Sequence, residues 1–161
     1  PHFGQVMETT LQCPSCGFKQ SDILALEHKD PAKYVLEINK NTLSVRVVRS
    51  QSATVIIPEA GIKVEPGPKS EGYVTNVEGV LTRFESAVIR ALKLFDDAES
   101  QRNGKSTLEF VQELKKGNGT ATLIILDPFG QSSIVSDSAE VSEIPEEELH
   151  GLKTGFSIIE E

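Results

Sequence analysis

The apolar residues of the chain follow the period of a strand up to about residue 75, that of a helix over residues 77–117, and that of a strand again from residue 120. In the first part, Val45, Val47, Val55 and Ile57 recur at alternate positions, as in half-buried strands. Many short strands separated by Asn, Pro and Gly favour a sandwich or a rolled barrel. The pattern predicts strands at residues 5–12, 21–27, 33–39, 43–49, 53–57, 62–65 and 73–75.

The helical period runs from Val77 to Phe95, where apolar residues recur at i, i+3, i+4 and i+7. This spacing predicts an amphipathic helix of about five turns with one face for the core. Thr75 and Glu78 have the spacing of a capping box, in which the two side chains satisfy each other's backbone N–H groups. We therefore expect the helix to begin at this point.

A second amphipathic helix is predicted after a polar connection at residues 96–105, so that the two helices form a hairpin. Ser106 and Glu109 repeat the capping-box spacing at its start, and Gly117 is a typical helix stop. The residues of its apolar face are Leu108, Val111 and Leu114.

Strand-like sequence returns at residues 120–126 and ends in Asp127-Pro128-Phe129-Gly130. Asp first, Pro second and Gly fourth are the preferences of a type I turn, so residues 131–136 are predicted as the return strand. The acidic tail is predicted to contain a short helix opened by Pro145 and a last strand at residues 156–159. The chain is thus predicted to be mainly β (α+β), a β-roll with an inserted helical hairpin at about residues 75–117.

Composition narrows the possible functions. With 161 residues, 38% of them hydrophobic, the chain can bury one good core beside a small appendage. A net charge of −8 without a basic block argues against nucleic-acid binding. No apolar run reaches the roughly 18 residues of a membrane span, and there is no signal-peptide pattern. The two cysteines indicate a reducing compartment, which we take to be the cytoplasm.

Cys13 and Cys16 have the spacing at which two thiolates bind one metal ion. They lie between two predicted strands, as in half of a zinc ribbon, so residues 1–30 are interpreted as the C-terminal half of that module and residues 31–161 as the β-roll domain. A structural zinc site needs four ligands, so we expect two further cysteines upstream of Pro1, in a chain truncated at its N-terminus. A redox pair would open a helix, which Gly17 and the following strand disfavour; two inert thiols are the other alternative.

Other motifs are better explained by structure than by catalysis. Gly104-Lys105-Ser106-Thr107 resembles the end of a phosphate-binding loop, but the required earlier glycine is replaced by Glu99, so we interpret it as a helix N-cap. Asp127 is interpreted as a turn residue. A cupin-like metalloenzyme would need clustered histidines on the strands, and the three histidines are scattered. We therefore expect no enzymatic activity.

Four separated stretches of the chain occur in a recognisable order. They are residues 11–18, 48–59, 75–81 and 122–130. Together they resemble the ZPR-type zinc-finger family. The family's module combines a zinc ribbon with a double-stranded β-helix domain that carries a helical hairpin, in agreement with the pattern above. The single module found here is similar to the archaeal members or to one half of a tandem eukaryotic member.

The resemblance implies a non-catalytic zinc-finger protein that binds translation elongation factor 1-alpha and has a chaperone-like role in its folding. It implies that structural zinc is held by Cys13 and Cys16 together with a second cysteine pair. Candidate contacts to the partner are Phe18 on the knuckle and Arg102 and Lys105 near the tip of the helical hairpin. The remaining alternative is a zinc ribbon that binds nucleic acid or the ribosome.

Overall fold

A computed structural model describes residues 6–25 and 29–155 of the chain, and within these ranges it has ten strands and three α-helices. The mainly β chain with an inserted helical hairpin is confirmed. The strands are β1 (Val6–Gln12), β2 (Lys19–Ala25), β3 (Ala32–Ile38), β4 (Arg46–Arg49), β5 (Thr54–Ile57), β6 (Ile62–Val64), β7 (Tyr73–Asn76), β8 (Ala121–Asp127), β9 (Ser133–Val135) and β10 (Glu140–Glu143). The helices are α1 (Val77–Leu94), α2 (Ala98–Lys115) and α3 (Glu146–His150), and a 3₁₀ turn spans Pro58–Ala60.

The described strands form three antiparallel sheets. Strands β1 and β2 pair only with each other, as a hairpin. A five-stranded sheet has the order β10–β3–β8–β5–β6, and a three-stranded sheet has the order β7–β4–β9. Strands β4 and β5 are consecutive in the chain but lie in different sheets, so the chain crosses between the two sheets there. The two larger sheets together form the roll.

The core lies between the two larger sheets and the helical hairpin. Leu36 of β3 and Leu123 and Ile125 of β8 have almost no solvent exposure and pack with α1 residues such as Leu81. Each large aliphatic side chain of this kind contributes about 1.5–3 kcal/mol when it is fully buried. Strand β8 lies between β3 and β5 at the centre of the sheet, and five of its seven residues are buried.

Both helices of the hairpin begin with a side-chain cap, but neither cap is the predicted one. The side chain of Asn76 accepts a hydrogen bond from the Gly79 N–H at 2.8 Å, and that of Asp97 accepts one from Ser100 N–H at 2.8 Å. The capping boxes predicted at residues 75–78 and 106–109 are therefore wrong. The polar connection predicted at residues 96–105 is mostly helix α2, which starts at Ala98.

The C-terminal part of the described chain differs from the prediction in its pairing. Strand β9 pairs with β4 in the three-stranded sheet, so it is not a simple return strand beside β8. Strand β10 was not predicted, because its four residues are all exposed and two of them are glutamates. Helix α3 follows Pro145 as predicted. The strand predicted at residues 156–159 lies outside the described residues.

None of the helices within residues 6–25 and 29–155 combines the length and the apolar character that a membrane span requires.

Candidate functional site

The β1–β2 hairpin ends in a tight knuckle that carries both cysteines. The last pair of its ladder is Gln12 with Lys19, and the tip between them is closed by two backbone hydrogen bonds. The Cys13 N–H donates to the Phe18 carbonyl at 2.7 Å, and the Gly17 N–H donates to the Cys13 carbonyl at 3.0 Å. Gly17 adopts φ 73°, which a side chain would disfavour. Cys13 is half-buried and Cys16 is exposed at this tip.

Hydrogen bonding at the knuckle favours the thiolate form of Cys13. The backbone N–H of Cys16, then that of Ser15, and then the Cys16 side chain lower the pKa of the Cys13 thiol from its usual value. A lower pKa increases the fraction of thiolate, which is the form that binds zinc. The described residues contain no group of three or more potential metal ligands. The donor set at the knuckle thus fits two of the four positions of a structural zinc site.

The knuckle also presents apolar surface. Phe18 exposes 59% of its area and Leu11 exposes 69%, at the same end of the hairpin as the cysteines. Phe18 directly follows the Cys13–Gly17 turn, and Leu11 lies two residues before it. The sequence-predicted contact residue Phe18 is therefore accessible to a partner.

A second apolar surface lies at the tip of the helical hairpin. Leu94 and Phe95 are 78% and 57% exposed where α1 ends. Beside them, a groove of about 340 Å³ runs between α1, α2 and β6. Gln101 of α2 holds the tip together, because its side-chain amide donates to the carbonyls of Leu92 and Phe95, both at 2.7 Å. The apolar lining of the groove includes Ile62, Val64, Ala87, Val88, Ala91 and Leu92.

Gly104 lies inside α2, so the interpretation of Gly104-Lys105-Ser106-Thr107 as a helix N-cap is wrong. A Cβ atom at Gly104 would lie 2.5 Å from Cδ2 of Leu92, so the glycine permits the close approach of α2 to α1. Arg102 and Lys105 are exposed on α2 and are not among the residues that line the groove. Sequence reasoning missed the role of Gly104, which only the packing partner reveals.

Asp127 is a structural residue at the end of β8. It has no solvent exposure, and its Oδ2 accepts hydrogen bonds from the N–H groups of Gln131 at 2.9 Å and Ser132 at 2.6 Å. Its Oδ1 accepts from the Phe129 N–H at 3.0 Å. The predicted turn is confirmed, since the Gly130 N–H donates to the Asp127 carbonyl at 3.3 Å.

A family model and several known proteins all match this chain to one protein family. Residues 41–150 match the family model of the ZPR1 jelly-roll domain. The chain is 41% identical over 161 residues to a ZPR1-like protein of Methanocaldococcus jannaschii, covering 99% of this chain and 81% of the relative. It is 38% identical to a ZPR1-like protein of Pyrococcus horikoshii, covering 73% of that relative. It is also 30% identical over 145 residues to the zinc finger chaperone zpr1 of Schizosaccharomyces pombe, covering 83% of this chain and 30% of that protein.

Proposed function

The chain belongs to the ZPR1 zinc-finger family, and on that premise we propose that it is a non-catalytic protein that binds translation elongation factor 1-alpha and assists its folding. The roll is the jelly-roll domain of the family. The fission-yeast relative is named a zinc finger chaperone, which supports a role in folding another protein. Such a role requires apolar surface that a partner can cover, and it places the protein in the cytoplasm with the translation machinery.

The observation that carries this proposal is the apolar tip of the helical hairpin. Leu94 and Phe95 hold large apolar side chains in solvent at the end of two capped helices. Exposed apolar surface beside a groove is typical of protein-interaction sites. A folding partner offers apolar side chains that fit the groove between α1, α2 and β6. Arg102 and Lys105 are exposed on α2 outside the lining of the groove, and we propose that they make polar contacts with the same partner.

The knuckle supplies a second candidate contact and the proposed zinc site. We assign Cys13 and Cys16 as two zinc ligands and residues 1–30 as the C-terminal half of a zinc ribbon, whose other two ligands would be a second cysteine pair. Bound zinc would hold the knuckle and keep the neighbouring Phe18 in a fixed position for the partner. Native mass spectrometry of the full-length protein should find one zinc ion per chain, which Cys16→Ser should abolish. A full zinc content in that variant would contradict the assignment.

Calorimetric titration of the full-length protein with elongation factor 1-alpha tests the function itself. We expect Phe95→Ser to weaken binding at least about 10-fold, because truncation of a buried apolar anchor costs more than about 1.4 kcal/mol. Val141→Ser is a matched control. Val141 is 63% exposed, but it lies on β10, at the opposite edge of the five-stranded sheet from β6, which lines the groove. The proposal fails if the wild-type protein does not bind, or if both variants bind equally well.

A further inference from the structure

A second cavity, of about 160 Å³, opens beside the apolar groove between β6, β7 and α1. Its floor is apolar and includes Val55, Val80 and Phe84. Among the described residues that line it, the charged ones are all arginines: Arg49, Arg83 and Arg90.

Arg49 brings a fixed positive charge to the base of this cavity. It is 5% exposed, and its Nε and Nη2 donate to the Ala53 carbonyl at 3.0 and 2.6 Å. Its Nη1 donates to the Ser70 hydroxyl at 2.8 Å and to the Glu71 carbonyl at 3.1 Å. All these acceptors are neutral. Burial lowers the pKa of Arg49 from its usual value, but a guanidinium remains protonated in proteins.

The ring of Tyr73 holds a second guanidinium, that of Arg83, at the opening of the cavity. The Arg83 guanidinium carbon lies 4.1 Å from the centre of the Tyr73 ring, and that of Arg49 lies 5.7 Å from it. Stacking on a ring fixes the plane of a guanidinium and leaves its N–H edge free for a carboxylate. Arg90 follows Arg83 by two helical turns, so the two side chains start from the same face of α1, about 10 Å apart along its axis.

These arginines have no acidic partner within residues 6–25 and 29–155. Every ion pair described there uses a lysine. The charge of the Asp127 carboxylate acts on Arg49 without forming an ion pair with it. Arg83 and Arg90 therefore bring to the cavity positive charge that no described ion pair neutralises, in a chain whose net charge is −8. The apolar floor has a low dielectric constant and therefore strengthens the electrostatic field of the arginines in the cavity.

We propose that this cavity binds the carboxylate side chains of an extended acidic segment in a partner protein. The methylene groups of a glutamate side chain fit against the apolar floor. The Arg83 guanidinium then donates two parallel hydrogen bonds to the glutamate carboxylate. In a segment with the extended polyproline II conformation, carboxylates three residues apart lie on the same face and about 9 Å apart, close to the separation of about 10 Å between Arg83 and Arg90 along α1. A nucleic acid would also bring negative charge, but its many phosphates would be repelled by the acidic remainder of the chain. The inference does not depend on which partner the hairpin tip binds.

Fluorescence anisotropy with labelled ten-residue peptides tests the inference on the full-length protein. One peptide carries two glutamates three positions apart in a Gly/Ser background, and the other carries glutamines at the same positions. We expect the glutamate peptide to bind and the glutamine peptide to bind at least about 10-fold more weakly. The reason is that glutamine cannot form the hydrogen bonds between oppositely charged groups that a carboxylate forms with an arginine. We expect Arg83→Gln and Arg90→Gln each to weaken the glutamate peptide several-fold.

Arg46→Gln is the matched control, since it removes the same charge from an exposed position on β4 that does not line the cavity. Arg90→Gln guards against misfolding, because Arg90 makes no described hydrogen bond or ion pair whose loss could unfold the chain. Equal binding of the two peptides would overturn the inference. So would an equal loss in the Arg46 and Arg90 variants, or a ten-nucleotide RNA that binds through these arginines when the acidic peptide does not.

Discussion

Replacement of Asp127 by asparagine should destabilise the roll strongly although it changes no side-chain volume. The two carboxylate oxygens accept three backbone hydrogen bonds at 2.6–3.0 Å in the turn after β8. Oδ1 also accepts a hydrogen bond from the Ser52 hydroxyl at 3.3 Å, which connects this turn to the β4–β5 crossing. The residue therefore joins the two sheets at the point where the chain passes between them.

The magnitude follows from the number and type of these hydrogen bonds. An asparagine that keeps its oxygen at the Oδ2 position retains the bonds to Gln131 and Ser132, but as neutral bonds, each weaker by about 1 kcal/mol. Its NH₂ group then faces the Phe129 N–H, and the broken bond costs about 1–3 kcal/mol. The sum, about 3–5 kcal/mol, is a large part of the ~5–15 kcal/mol stability of a domain.

Urea unfolding followed by circular dichroism measures this loss. Asp127→Asn should lower the free energy of unfolding with an unchanged dependence on urea, because the surface exposed on unfolding is the same. Asp137→Asn, at an exposed position in the following turn, should change it by less than about 0.5 kcal/mol. If both variants lost the same stability, the structural role of the buried carboxylate would be refuted.

Three further predictions concern other connections in the fold. Gly130→Ala should lower the free energy of unfolding by about 2–4 kcal/mol, because φ is 61° there and a Cβ atom would collide with the linker before β3. Gly67→Ala, where a Cβ atom would meet open space, should leave it unchanged in the same urea assay. Hydrogen bonds from two lysine ammonium groups lower the pKa of Glu65 to about 2 from 4.5, so its stabilising effect is complete above pH 4.5 and is lost as pH falls towards 2. Glu65→Gln should therefore flatten the acid side of a stability–pH profile, and an unaltered profile would speak against the ion pairs. Gln101→Ala removes two hydrogen bonds at 2.7 Å and should speed amide exchange in the last turn of α1, with no change expected in α3.

The bounds of helix α1 were predicted almost to the residue because its apolar residues keep the helical period from Val77 to Phe95, although the fully buried ones lie in its first half, up to Phe84. The first half of α2 was not, because residues 98–105 lack an apolar period and the glycine among them resembles a loop signal. Asp97, an N-cap residue followed by Glu99 in the first turn, was the local signal that could have placed the start.

Pairings between distant segments were beyond the reach of local patterns. The period-2 pattern identifies a strand at β9 but not its partner β4, which is far away in the chain. The cysteine knuckle could be predicted because a few consecutive residues form it. The arginine cavity could not, because Arg49, Tyr73 and Arg83 meet only when β4, β7 and α1 pack together.

Hydrogen–deuterium exchange of the full-length protein, free and in complex with elongation factor 1-alpha, tests the central claim most directly. Binding through the hairpin tip should slow exchange in residues 61–64 and 87–107, which form the groove and its border. The edge strand β10 should exchange at the same rate in both states. Failure to form a complex, or a complex whose protection is confined to the outer strands of the roll, would contradict the proposed function.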